Sequence, residues 1–169
     1  MNRLIFLAVP LLLIAPATAS AKHKAAPAKA KAAAPAELKW MDGAPGLPGG
    51  IQMAVVKGDP AKKGPFTIRL KMPANYAVRP HWHPTDEHVT LVSGKLVYGM
   101  SDQLDRAAGE ALAQGASVTM KAKQHHWVFT GDGAEVEVSA MGPFAITYVN
   151  AADDPRKLGE VKRAPKSTK

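Results

Sequence analysis

Five of the six histidines in this chain fall in two short stretches, "RPHWHPTDEH" at 79–88 and "KQHHWVFT" at 123–130, while His23 stands apart. Imidazole and carboxylate are the side chains that bind borderline divalent metals. Three histidines beside Asp86 and Glu87 therefore raise a metal site before any other chemistry. In an extended strand, side chains two apart share a face. His81 and His83 point together, with Trp82 opposite. "PTD" at 84–86 reads as a turn, after which Glu87 takes the inner face and Val89 and Leu91 continue it as core. His88 then falls on the other face. His125 and His126 are adjacent, so one points inward and completes a set of three imidazoles and one carboxylate.

Other side chains are candidates for substrate contact. Arg79 shares the parity of His81 and His83, which would let it reach into the pocket and hold a carboxylate or phosphate. The plainer alternative is a rim arginine in water. Tyr98, like Tyr76 and Tyr148, offers a hydroxyl donor, although each also suits an amphipathic strand. Lys121 and Lys123 read as surface residues, or as a funnel for an anionic substrate. Trp82, Trp127 and Phe129 share an outward parity and are expected to cover a homodimer interface. No Ser-His-Asp set, phosphate loop or dinucleotide fingerprint is evident, and the carboxylates are too scattered for a glycosidase pair. Any catalysis runs through the metal.

The elements that must position these residues are strands. From Ile51 onward, short apolar or alternating runs are separated by turn residues: 51–56, 66–72, 88–94, 95–100, 116–122, 126–130, 134–141 and 144–149. Ser93-Gly94 and Gly131-Asp132-Gly133 read as hairpin turns. A short helix is expected only within 102–112, limited by Gly109. About eight strands at this spacing predict an all-β sandwich or barrel.

The ends of the chain differ from this domain. Arg3 followed by "LIFLAVPLLLIA" (4–15) and small residues predicts a signal peptide over 1–21, cleaved after Ala19 or Ala21. The apolar run is shorter than the ~20 residues a membrane span needs, so a transmembrane protein is not expected. The predicted location is periplasmic or secreted. Residues 22–36, an Ala/Lys/Pro repeat, read as a disordered linker, and 156–169 as a basic disordered tail. Without cysteine, no disulfide supports the fold, so the core of the 37–155 domain must suffice. The whole chain carries a formal +8, yet residues 37–155 hold eleven Lys and Arg against thirteen Asp and Glu, a net of −2. The basicity belongs to the ends, and nucleic acid is not an expected partner.

The spacing H-x-H-x3-E-x6-G, realised as His81, His83, Glu87 and Gly94, resembles the first sequence motif of the cupin superfamily. Asn75 stands where that motif opens with glycine. The second motif, G-x5-P-x-G-x2-H-x3-N, is matched at Gly115 and His126, while Lys121, Lys123 and Thr130 depart from it. The resemblance covers roughly 65–150. It implies a jelly-roll β-barrel with His81, His83, Glu87 and His126 holding a divalent metal (Fe, Mn, Zn, Ni or Cu), and leaves His125 as the fallback for the last histidine. It further implies a small-molecule ligand or substrate and, for this ligand set, dioxygenase-like chemistry. The competing expectations are a non-catalytic metal- or small-ligand-binding module, and a metal-independent isomerase or epimerase with a histidine base.

Overall fold

The alternating stretches become strands that bury one side. The computed structural model describes residues 37–157; the readings for 1–36 and 158–169 fall outside the described residues. In chain order the strands are β1 (Met41–Asp42), β2 (Gln52–Lys57), β3 (Gly64–Met72), β4 (Tyr76–Trp82), β5 (Glu87–Gly94), β6 (Leu96–Gly99), β7 (Glu110–Leu112), β8 (Ser117–Met120), β9 (His126–Thr130), β10 (Ala134–Gly142) and β11 (Thr147–Tyr148). On β3, Phe66, Ile68, Leu70 and Met72 are buried, while Thr67, Arg69 and Lys71 take the outer face. Each such burial is worth about 1.5–3 kcal/mol, which is how a chain without disulfides holds together.

The strands form two antiparallel sheets, ordered β1-β2-β3-β10-β5-β8 and β11-β4-β9-β6-β7. Their inner faces share one apolar core, the arrangement of a jelly roll. The outer face of the first sheet is a polar lattice. Arg69 reaches Glu135 at 2.7 Å and Glu137 at 3.0 Å, Thr67 meets Ser139 at 2.9 Å, and His88 Nδ1 meets Thr119 Oγ1 at 2.8 Å. No helix among the described residues is long and apolar enough to cross a membrane.

Two expected hairpins are corrected. β5 and β6 lie in different sheets, as do β9 and β10, so Gly94 and Gly131–Gly133 are corners between layers. Each of these strands already has two neighbours in its own sheet, so the turn serves to change layer. The corners pack on one another at one end of the molecule, with Lys95 N donating to Gly133 O at 3.4 Å and Asn75 N to Gly131 O at 3.0 Å. Asn75 has φ 56° there, the left-handed conformation that the motif's glycine would supply. The expected helix within 102–112 is also absent. Its end pairs as β7, and Gly109 lies so close to Val97 and Trp127 that a Cβ would overlap both. Arg156, assigned to the tail by composition, belongs to the domain: its guanidinium donates to both Asp154 carboxylate oxygens at 2.8 Å and to the Ile146 carbonyl at 3.1 Å.

Candidate metal centre

The candidate residues meet at the end opposite the glycine corners. There the chain crosses between sheets at 83–86, 121–125 and 143–146. His81 comes from the end of β4, His83 from the residue after it, Glu87 from the start of β5 and His126 from the start of β9. All four are buried. One ring nitrogen from each histidine lies within 4.8 Å of the others. Glu87 Oε1 stands 3.5 Å from His83 Nε2, and Glu87 Oε2 stands 3.6 Å from His126 Nε2.

Backbone carbonyls set the ring orientations. His81 Nδ1 faces the Arg79 oxygen at 2.7 Å, His83 Nδ1 the Ala145 oxygen at 2.7 Å, and His126 Nδ1 the Gln124 oxygen at 2.9 Å. A carbonyl can only accept, so each Nδ1 carries the proton and donates. In a neutral ring, Nε2 is then a bare lone pair, and the three are directed at one another and at a carboxylate. Burial, with His126 and His83 close by, pushes His81 well below its ordinary 6.5, so that ring is neutral. Burial alone would raise Glu87, but His83, His126 and His81 around it hold it down at about 2, so it is a carboxylate. His126 Nε2 is buried without any hydrogen-bond partner. Three ring nitrogens that converge beside a buried carboxylate form a donor set able to hold a divalent cation.

The loops beside the ligands are tied together. Asp86, which turn position removes from the ligand set, accepts from Ala122 N and from Lys121 Nζ, each at 2.9 Å. Lys123 N donates to His83 O at 2.8 Å, and Lys123 has φ 61° where the second motif has glycine. The conformation is kept although the residue is not. His125 turns outward and meets Asp102 at 2.6 Å, as alternation with an inward His126 requires.

Arg79 does not reach the cavity. The β4–β9 register slips by one residue between Val78 and His81, a β-bulge that switches the inward face from Tyr76 and Val78 to His81 and His83. Arg79 is thereby turned out, with its side chain 61% exposed and Asp153 at 4.0 Å. Pro80 was the available signal, because proline inside a central strand marks a bulge. Tyr98 is held by Glu110 at 2.8 Å and is not part of the cavity wall. Trp127 and Phe129 do point outward, but their own chain covers them. Trp127 is 1% exposed and donates to Ser101 Oγ at 3.0 Å, and the Arg106 guanidinium lies 3.8 Å over the Phe129 ring. These two are therefore not free to form a dimer contact.

The centre opens into a narrow apolar cavity. Of its fifteen lining residues, eleven are apolar and the other four are His81, His83, Glu87 and His126. Leu47, Ile51 and Phe144 belong to this wall from outside the strands; Ile51 and Phe144 open two of the runs expected as strands, whereas no sequence pattern marked Leu47.

Fold and site together define a cupin-type jelly roll with a three-histidine group able to hold a metal. No protein-family model matches the chain, and no curated protein matches it. Among solved structures, the polyketide cyclase RemF from Streptomyces resistomycificus aligns with a TM-score of 0.58 and 16% identity, over 73% of this chain and 88% of that one. A putative acetylacetone dioxygenase from Methylibium petroleiphilum PM1 aligns at 0.54 and 18% identity, over 75% and 90%. The DMSP lyase DddQ from Ruegeria pomeroyi DSS-3 aligns at 0.53 and 18% identity, over 66% and 61%. At these identities the likeness is one of fold.

Proposed function

We propose that the protein is an exported divalent-metal-binding protein acting on a small organic molecule, with His81, His83, His126 and Glu87 as the ligands of one ion. The observation that carries this reading is the buried, unpartnered Nε2 of His126, set beside two further imidazoles and a carboxylate. An unsatisfied polar atom in the interior is costly, and a shared cation relieves it. The donor set suits Fe, Mn, Zn, Ni or Cu without choosing among them. When bound, the ion supplies Lewis acidity and open positions for a small ligand or O2.

The chain's own residues do the rest. The carbonyls of Arg79, Ala145 and Gln124 fix the three rings, Glu87 offsets one positive charge, and the apolar wall offers water no hydrogen-bond partners. No titratable side chain beyond the four lines the cavity among the described residues, so no separate general acid or base is at hand. That favours metal-centred chemistry such as a dioxygenase-like reaction over proton shuttling by an isomerase or epimerase. Cyclase, dioxygenase and lyase all occur among the fold neighbours, so fold does not select the reaction. The same lack of an acid or base supports a second reading, stoichiometric binding of a metal or small ligand without turnover.

Protein purified without an affinity tag should carry one tightly bound ion per chain by elemental analysis, and His81→Ala or His126→Ala should lose it. Wild-type protein that holds none of the five metals sinks the proposal, as does a His81→Ala variant with unchanged metal content. Oxygen uptake that disappears in Glu87→Gln separates the enzyme from the binding module. Export is checked by N-terminal sequencing of the mature chain, expected to begin at Ser20 or Lys22.

A further inference from the structure

We propose that the ligand of this centre is a compact monoanion with an apolar body, of the short-chain monocarboxylate kind, and that Leu47 sets its length. The inference rests on the metal centre proposed above and deepens it. A divalent ion held by three neutral imidazoles and the Glu87 carboxylate carries a net +1. One anionic head group neutralises it. A second negative charge has no cation to meet, because no Lys or Arg side chain lines the cavity, and an unpaired charge in an apolar interior is disfavoured strongly. A neutral polar body fares little better, since all the remaining wall is apolar. The interior open to the centres of water molecules is about 40 Å³, a confined space that limits the length of the ligand's body.

Leu47 is the adjustable part of that wall. It sits in "GAPGLPGG" (43–50), the segment between β1 and β2 that makes no strand ladder. Two tyrosines hold this segment in place: Tyr76 donates to Pro48 O at 2.6 Å and Tyr148 to Gly46 O at 2.7 Å. Leu47 N donates to Ala44 O at 3.1 Å, and Gly43 N to Ile51 O at 3.0 Å. Leu47 is half-buried, with one side on the cavity and the other toward solvent. Shortening it lengthens the cavity without breaking a ladder.

The test uses full mature protein loaded with Co(II), whose visible bands report ligand binding, titrated with acetate, propionate, butyrate, hexanoate, malonate and succinate. Wild type should bind the acids up to butyrate and lose about tenfold in affinity at hexanoate, the worth of one to two buried methylenes. Leu47→Ala should recover that tenfold for hexanoate relative to acetate, while Leu47→Phe should weaken butyrate. Succinate, with its second carboxylate away from the ion, should bind more weakly than butyrate, whereas malonate can chelate the ion and serves as the control for that mode. A length series that ignores both Leu47 variants overturns the proposal, as does succinate that binds as tightly as butyrate. Absence of cobalt binding overturns the metal centre itself, whereas bound cobalt with a flat series overturns this inference alone.

Discussion

His81 ties the centre to the stability of the metal-free protein. Its imidazole is held neutral by burial and by the neighbouring rings, so its folded-state value lies well below the ordinary 6.5. The unfolded chain therefore binds more protons below pH 6.5, and stability that is fully present above that value is lost as pH falls through it. Glu87 adds a loss of the same sign further down, between its ordinary 4.5 and its folded value of about 2. Chelator-treated protein should show a urea midpoint that declines from about pH 7 to pH 5, with the decline reduced in His81→Gln. A midpoint that stays flat or rises over that interval contradicts the assignment of a neutral buried ring. The legibility of the site in the sequence has the same local origin. His81 and His83 share a face because alternation holds across three residues, and Glu87 rejoins them because a new strand starts there. The same rule fails one step earlier, at Arg79, because the bulge inserts a residue and reverses the parity of everything before it. A parity argument is as good as the regularity of its strand.

At the level of elements, the corner glycines carry the architecture. Gly94 has φ 83°, and a Cβ there would overlap the carbonyl oxygen of Gly133. Gly94→Ala should therefore cost about 1–3 kcal/mol, combining left-handed strain with a backbone clash. Asn75→Gly, at φ 56°, should be neutral or stabilising by less than about 1 kcal/mol, since glycine takes that conformation without strain. Denaturant unfolding of both variants distinguishes a strained corner from an ordinary turn: equal effects would remove the argument. Strand periodicity made the strands themselves legible, including the alternation of β3 and β10. Which strands pair was not, because a Ser-Gly turn looks alike in a hairpin and in a change of layer. The distinction lies in long-range partners, β10 and β8 for β5 and β9 and β7 for β6, and no local pattern encodes those. The missing helix has a similar cause. Residues 102–112 have helix-compatible composition, but the Trp127 and Phe129 side chains are covered by this stretch and its approach, through Ser101, Arg106 and Gly109.

For the molecule as a whole, the division of charge predicts a division of labour. The 37–155 region is net −2, whereas 22–36 carries Lys22, Lys24, Lys29 and Lys31, and the last twelve residues carry Lys162, Arg163, Lys166 and Lys169 against Glu160. Basic residues near an anionic membrane surface contribute about 1 kcal/mol each, a contribution that salt screens. The mature chain should therefore bind vesicles rich in anionic lipid at low ionic strength and leave them in about 0.5 M salt. The boundary for the matching truncation comes from the fold. Arg156 must be kept, because it clasps Asp154 and the Ile146 carbonyl beside the 43–50 segment that walls the cavity. A chain of residues 37–157 should keep the metal and lose vesicle binding in a sedimentation assay. If it sediments with vesicles as well as the mature chain does, the ends are not what holds the protein to the surface, and the domain's own faces must be. If it loses the metal as well, the ends support the domain, and the separation of tether from metal centre fails.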